Sequence, residues 1–177
     1  MRFVLGFIFT IFVIGCGYKP ISKIADSVLD DRIYVDVIID KSEPKNSVFI
    51  KDAVREGIVS RLNKILSDKQ NANTFISVST KSLDYQATVY DEYGYISAYR
   101  AILRLEFKTK FKDGKTENIT TSGEYDFSIA RRVRSTRYAD SVISDAERYE
   151  AIKEASKEAF DEYISRLALK GYKYGSN

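Results

Sequence analysis

The sequence predicts an α+β fold, a two-layer α/β sandwich in the order β-α-β-β-β-α, with two helices packed on one face of a four-stranded mixed sheet. Three observations carry this expectation. Alternating apolar and polar runs fill the middle of the chain, an amphipathic helical stripe stands on either side of them, and a glycine sits in each turn between the runs. With 177 residues, 44% of them hydrophobic, the chain has enough apolar material for one such core.

Taken in order, residues 32–40 alternate, with Ile33, Val35, Val37 and Ile39 on one side, and read as the first strand. Pro44 and Asn46 mark 40–47 as a loop that supplies a helix cap. From 48 to about 66, Ile50, Val54, Ile58, Leu62, Ile65 and Leu66 recur at helical spacing. Lys51, Arg55, Lys64 and Lys69 fall on the other faces, which makes this stretch an amphipathic helix.

The middle of the chain reads as a three-stranded meander from about Phe75 to Ile129. From 99 to 111 the odd positions are Tyr, Ala, Leu, Leu, Phe, Thr and Phe. The even positions from 100 to 112 are Arg, Ile, Arg, Glu, Lys, Lys and Lys, so one face is buried and the other is wet and mostly basic. The next run repeats the parity, with Ile119, Thr121, Gly123, Tyr125 and Phe127 inward. A two-residue loop at Asp113-Gly114 would set inward positions against outward ones. A three-residue loop, Lys112-Asp113-Gly114, keeps the faces in phase and puts Gly where the left-handed backbone is wanted. It pairs Tyr99 with Phe127, Ala101 with Tyr125, and Arg100 with Asp126. A Glu92-Tyr93-Gly94 loop does the same one hairpin earlier, setting Ala87 opposite Tyr99 and Leu83 opposite Leu103. After 130–144 breaks the alternation, Tyr149, Ile152, Ala155, Ala159, Tyr163, Ile164 and Leu167 form the last helical stripe, with Gly171 as its expected C-cap.

Composition narrows the chemistry. Lys and Arg number 28 against 25 Asp and Glu, a net charge of +3, too balanced for a protein that coats nucleic acid. There is no histidine, which removes Ser-His-Asp and Cys-His catalysis, His-ligated metals and the usual imidazole base together. A single cysteine makes neither an internal disulfide nor a Cys₄ metal site. No Gly-rich phosphate loop or serine elbow is present. Carboxylate pairs such as Glu124 with Asp126 share an exposed strand face with Arg100, so ion pairing accounts for them better than glycosidase chemistry does. The expectation is a non-enzymatic protein without metal or catalytic cofactor.

The amino terminus gives an address. Met1-Arg2 precedes FVLGFIFTIFVI at 3–14, and twelve residues at about 1.5 Å each do not cross a hydrocarbon core of about 30 Å. A positive start, a short apolar run and small residues after it describe a secretory signal peptide. The run ends Val13-Ile14-Gly15-Cys16, which resembles the lipobox of bacterial lipoproteins. That resemblance implies cleavage before Cys16 and acylation of its sulfur and new amino group, a covalent lipid that anchors stably where one chain is marginal. Gly17 follows, with no Asp to imply inner-membrane retention, so the expected place is the periplasmic face of the outer membrane. The expected organisation is a signal peptide at 1–15, a lipidated tether at 16–31, one domain at 32–171 and a tail at 172–177.

Cys16-Gly17-Tyr18-Lys19-Pro20 after the lipobox, followed by this β-α-β-β-β-α order, resembles the LptE family of lipopolysaccharide-assembly lipoproteins. The segments that carry the likeness are Val89 to Ala101 (VYDEYGYISAYRA) and Tyr125 to Arg137 (YDFSIARRVRSTR). The resemblance implies a plug and chaperone that sits inside the outer-membrane barrel LptD, assists its assembly, and binds lipopolysaccharide on its way to the surface. Arg131, Arg132, Arg134 and Arg137 are the candidate phosphate contacts, since guanidinium forks fit phosphate oxygens in a bidentate way. The plainer reading of these arginines is a solvated loop, or pairing with Asp140, Asp145 and Glu147. The family's hairpin-tip cation has no counterpart here, where 91–95 reads Asp-Glu-Tyr-Gly-Tyr. Tyr90, Tyr93 and Tyr95 are instead candidate barrel contacts, because Tyr offers large area at low entropic cost. Tyr85 and Tyr99 read as in-register sheet aromatics. The outward ladder of Arg100, Arg104, Lys108 and Lys110, continued by Lys112, is an ordinary wet sheet face or a surface suited to a hydrophilic barrel lumen. Glu106, Glu124 and Asp126 interrupt it, so it is no nucleic-acid track.

A second function class competes: a periplasm-facing outer-membrane lipoprotein that activates a peptidoglycan synthase or supports a secretion or pilus machine. Such proteins more often carry long tethers across the cell-wall layer. Only about fifteen residues separate Cys16 from the first strand, at most roughly 50 Å extended, which favours a partner lying within the membrane itself.

Overall fold

The computed structural model describes residues 29–40, 43–129 and 142–174, with side chains through Lys170. Cys16, the signal peptide and Arg131, Arg132, Arg134 and Arg137 lie outside the described residues. The elements run β1 (Arg32–Val37), α1 (Pro44–Leu62), β2 (Ile65–Leu66), β3 (Thr74–Tyr90), β4 (Ile96–Lys110), β5 (Thr116–Ser128) and α2 (Asp145–Tyr174). The strands form one mixed sheet in the order β2-β1-β3-β4-β5, and both helices pack on one of its faces. The expected α+β two-layer fold is what the chain adopts, with one correction. The sheet has five strands, not four.

The fifth strand comes from the end of the expected first helix. Asn63 adopts a left-handed backbone (φ 52°), and the Lys64 N–H returns to the Ile58 carbonyl at 3.3 Å, which closes the helix at Leu62. Ile65 and Leu66 then pair in parallel with Arg32 and Ile33. Lys64 is therefore buried and not on a solvent face, and its Nζ lies 2.9 Å from Asp31 Oδ1. The stretch expected to be tether is also engaged before residue 32. Leu29 is a core residue, and the Asp30 N–H donates to Thr74 Oγ1.

The meander register matches the expectation. Tyr99 pairs with Phe127, Arg100 with Asp126 and Ala101 with Tyr125, while Ala87 meets Tyr99 and Leu83 meets Leu103. Both turns are three-residue loops: Asp91 N–H donates to Tyr95 O, Phe111 N–H donates to Lys115 O, and Gly94 and Gly114 take φ of 81° and 83°. Three irregularities interrupt β3, between Thr80 and Ser82, Ala87 and Val89, and Val89 and Tyr90, and the first changes which residues face the helices. A bulge between Thr80 and Ser82 leaves Lys81 unpaired and shifts the phase of β3. Before it, Thr74, Ile76 and Val78 face the helices; after it, Leu83 and Tyr85 do.

The core lies between sheet and helices. Phe107 stacks on Tyr163 at 4.4 Å between ring centres, and Phe160 packs beside both. The Tyr163 hydroxyl, fully buried, shares a hydrogen bond of 2.7 Å with Thr109 Oγ1. Ser144 and Glu147 form a capping box that starts α2: Ser144 N–H donates to Glu147 Oε2 at 2.8 Å, and Glu147 N–H donates to Ser144 Oγ. The helix continues through Gly171 to Tyr174 instead of stopping at a glycine cap. A helical glycine costs only about 1 kcal/mol, which the retained backbone bonds offset.

Two glycines set how closely α2 packs, one against the sheet and one against α1. A Cβ on Gly123 would stand 1.8 Å from the Ala155 carbonyl oxygen, so β5 and α2 touch backbone to backbone. A Cβ on Gly57 would stand 2.4 Å from Phe160 Cδ1, a side-chain contact between α1 and α2. Helix α2 also reaches over the outer edge of β5. Ser122 N–H donates to Glu162 Oε2 at 2.9 Å, Glu124 N–H to Glu158 Oε2 at 2.6 Å, and Arg166 Nη1 donates to the Thr120 carbonyl at 2.8 Å. Backbone groups that would otherwise offer an open strand edge are thereby satisfied.

Candidate functional site

Because both helices cover one face, no other described element covers the opposite face of the sheet, and alternation decides what stands there. On β4 the even positions from Arg100 to Lys110 point to this open face, while Ala101, Leu103, Leu105, Phe107 and Thr109 are buried under the helices. The expected cation ladder is thus real as a placement, but its members differ. Arg100 is tied down, with Nε donating to Asp126 Oδ1 at 2.7 Å, Nη2 to Asp126 Oδ2 at 2.8 Å and Nη1 to Glu124 Oε2 at 3.1 Å. The carboxylates hold the Arg100 guanidinium protonated well above its ordinary range, with the Asp126 bond as the main cause. In return Arg100 keeps the Asp126 carboxyl below the ordinary carboxylate value. This bidentate pair, expected from register alone, uses up the charge of Arg100.

Further along, Glu106 accepts from Lys81 at 2.8 Å, and that contact holds its carboxyl low. Arg104, Lys108 and Lys110 remain exposed, and among the described residues none of the three forms an ion pair within 4 Å. They lie along about 20 Å of strand. Lys112 stands in the turn, 3.7 Å from Asp30. An aromatic pair that a single strand parity would hide borders the lysines. The β3 bulge turns Phe75 onto this face, opposite Lys110, and Phe75 meets Tyr34 of β1 edge to face at 6.1 Å. The signal was available, since Ile76 and Val78 are apolar at even positions and Leu83 and Tyr85 at odd ones.

The β3–β4 hairpin tip presents the tyrosines. Tyr90 is 59% exposed, Tyr93 69% and Tyr95 43%, beside exposed Val89. Asp91 organises the turn, since its Oδ1 accepts the N–H of Tyr93 and of Tyr95, each at 2.9 Å. Behind the tip, Tyr99 and Tyr125 stack on Phe127, and Tyr85 meets Phe127 edge to face at 6.2 Å. Tyr85 and Tyr99 are sheet aromatics, as their register implies. The aromatic tip thus stands at one end of β4, and Arg104, Lys108 and Lys110 lie along its other half, about 25–45 Å away, so the structure does not bring these two candidate features together.

These features define a small two-layer α+β domain that offers a charged face and an aromatic hairpin. The chain belongs to the LptE family, whose description is lipopolysaccharide-assembly; the family matches residues 31–167. That family is one of non-enzymatic assembly lipoproteins. No curated protein matches the chain in sequence. Among solved structures, a lipoprotein from Caulobacter crescentus is 11% identical with a TM-score of 0.52, over 90% of this chain and 98% of that one. A protein from Xanthomonas campestris is 10% identical with a TM-score of 0.52, over 85% of this chain and 90% of that one. The rare lipoprotein B of Shewanella oneidensis is 18% identical with a TM-score of 0.49, over 81% of this chain and 98% of that one. Among the described residues no helix is long and apolar enough to cross a membrane.

Proposed function

We propose that the protein is an outer-membrane lipoprotein, acylated at Cys16 and facing the periplasm, that plugs the LptD barrel, assists its assembly and binds lipopolysaccharide in transit. The family membership across 31–167 is the observation that carries this reading. The open face fits it physically. Arg104, Lys108 and Lys110 suit a hydrophilic lumen, where charged side chains keep their water, and Tyr90, Tyr93 and Tyr95 supply anchoring area for a barrel wall. Arg100 contributes shape there more than free charge, because its guanidinium is already paired. Arg131, Arg132, Arg134 and Arg137 are the proposed lipid A phosphate contacts.

The test is extraction of membranes in detergent and capture of the lipoprotein, followed by identification of what is bound. One large β-barrel at equal stoichiometry is expected, and recovery of the lipoprotein alone would count against the reading. Replacing the four arginines by Glu weakens lipopolysaccharide binding while the circular dichroism spectrum stays native. Unchanged binding removes that segment from the mechanism.

A further inference from the structure

A cavity of about 360 Å³ opens between the N-terminal turn of α1, the start of α2 and the bulged stretch of β3. Four of the residues lining it carry a buried polar atom with no hydrogen-bond partner: Asn46 Oδ1, Ser82 Oγ, Tyr85 OH and Arg148 Nε. Among the described residues every such side-chain atom belongs to this one cavity. Proteins rarely leave buried donors and acceptors unpaired, and four around one space form a polar recognition surface.

Their chemistry restricts the ligand. Asn46 Oδ1 only accepts, Arg148 Nε only donates, and the two hydroxyls do either. Burial pushes the Tyr85 phenol up to about 12, so its proton stays available to donate. The charged lining residues are two acids, Asp40 and Glu43, and two bases, Lys81 and Arg148. Both bases are engaged, Lys81 with Glu106 at 2.8 Å and Arg148 with Glu43 at 3.9 Å. Among the described lining residues an anion entering here meets two carboxylates, and each of the two cations already faces an acid. Ile50, Leu83, Leu103 and Ile152 provide an apolar wall. A ligand with hydroxyls on its rim and C–H bonds on its face matches both parts.

We propose that this cavity binds a neutral, hydroxyl-rich ligand, a single saccharide ring, through Asn46, Ser82, Tyr85 and Arg148. The proposal goes beyond the barrel and lipopolysaccharide reading and does not depend on it. The experiment is an NMR titration of the full-length ¹⁵N-labelled chain, in a detergent without a sugar head group, with N-acetylglucosamine and in parallel with inorganic phosphate. Saturable shifts are expected at the amides of Asn46 and Tyr85 and at the Arg148 Nε–H signal with the sugar, and none with phosphate. Tyr85→Phe keeps the ring, removes one hydrogen bond and weakens binding up to about tenfold, with the rest of the spectrum unchanged. Lipopolysaccharide in the same titration separates two sources. Shifts at these signals place the ring in a glycolipid head group, and a response to the free sugar alone makes the ligand a soluble saccharide; either outcome supports the site. No saturable shift at tens of millimolar sugar, or an equal response to phosphate, overturns it.

Discussion

Gly123→Ala is the sharpest test of how the two layers are held. The added Cβ would stand 1.8 Å from the Ala155 carbonyl oxygen and 2.6 Å from the Ala159 nitrogen, and both are backbone atoms of α2. No rotamer relieves the clash, so the helix must move by roughly 1.6 Å to reach ordinary contact. A gap of that size forfeits much of the dispersion between sheet and helix, including the Phe107–Tyr163 stack. It also pulls Glu158 and Glu162 from the β5 edge. Overpacking costs about 1–3 kcal/mol where side chains give way, and a backbone contact belongs at or above the upper end. At about 2–4 °C per kcal/mol, the midpoint should fall by roughly 10 °C. Gly57→Ala is the control, because its obstacle is the Phe160 ring, which can turn. Thermal melts followed by circular dichroism compare the two. A Gly123→Ala protein within about 1 kcal/mol of the native chain, or a larger loss for Gly57→Ala, would refute the reasoning.

Three further perturbations follow from the same geometry. Tyr163→Phe strands Thr109 Oγ1 in the core and should cost about 1–2 kcal/mol in urea unfolding, while adding Thr109→Val should cost less than the two single losses summed. Asp126 has its carboxyl held low by Arg100, so the unfolded chain takes up that proton first. Its stabilisation is present above the unfolded value and fades as pH falls through the folded one. The difference in urea midpoint between native and Asp126→Asn should therefore be larger at about pH 7 than at about pH 3, and an equal difference would contradict the assignment. Glu158→Ala with Glu162→Ala uncovers the N–H groups of Ser122 and Glu124 and should yield dimers or larger species on size-exclusion chromatography. A monomer with unchanged elution would show that the edge is protected by other means.

Register was the part most readable from sequence. A glycine at the third place of each loop fixes loop length, loop length fixes phase, and phase puts Arg100 beside Asp126 without any view of the fold. Helix ends were less readable. Asn63 takes the left-handed conformation usually filled by glycine, whereas Gly171 sits within a helix, so the residue type misled at both places. The Ser144–Glu147 capping box was present in the letters and passed unread. The bulge at Lys81 was visible only as a change in the phase of apolar residues, and missing it hid Phe75 from the open face. The exposed tyrosine tip followed from sequence because a turn has nothing to pack against. The cavity did not, since Asn46, Tyr85 and Arg148 are far apart in the chain and meet only once helices and hairpin are docked.

The guarded edge of β5 bears on how such a domain meets a wall of strands. A barrel is built by backbone pairing, and a visiting domain with a bare edge invites the wall to continue into it. Here the middle of the longest outer strand is already answered by Glu158, Glu162 and Arg166. Side chains, and not shared hydrogen-bond ladders, are then left to make the contact. A partnership of that kind can be tight and still leave each fold its own, so a guest with this edge can assist a barrel as it closes without being zipped into the seam.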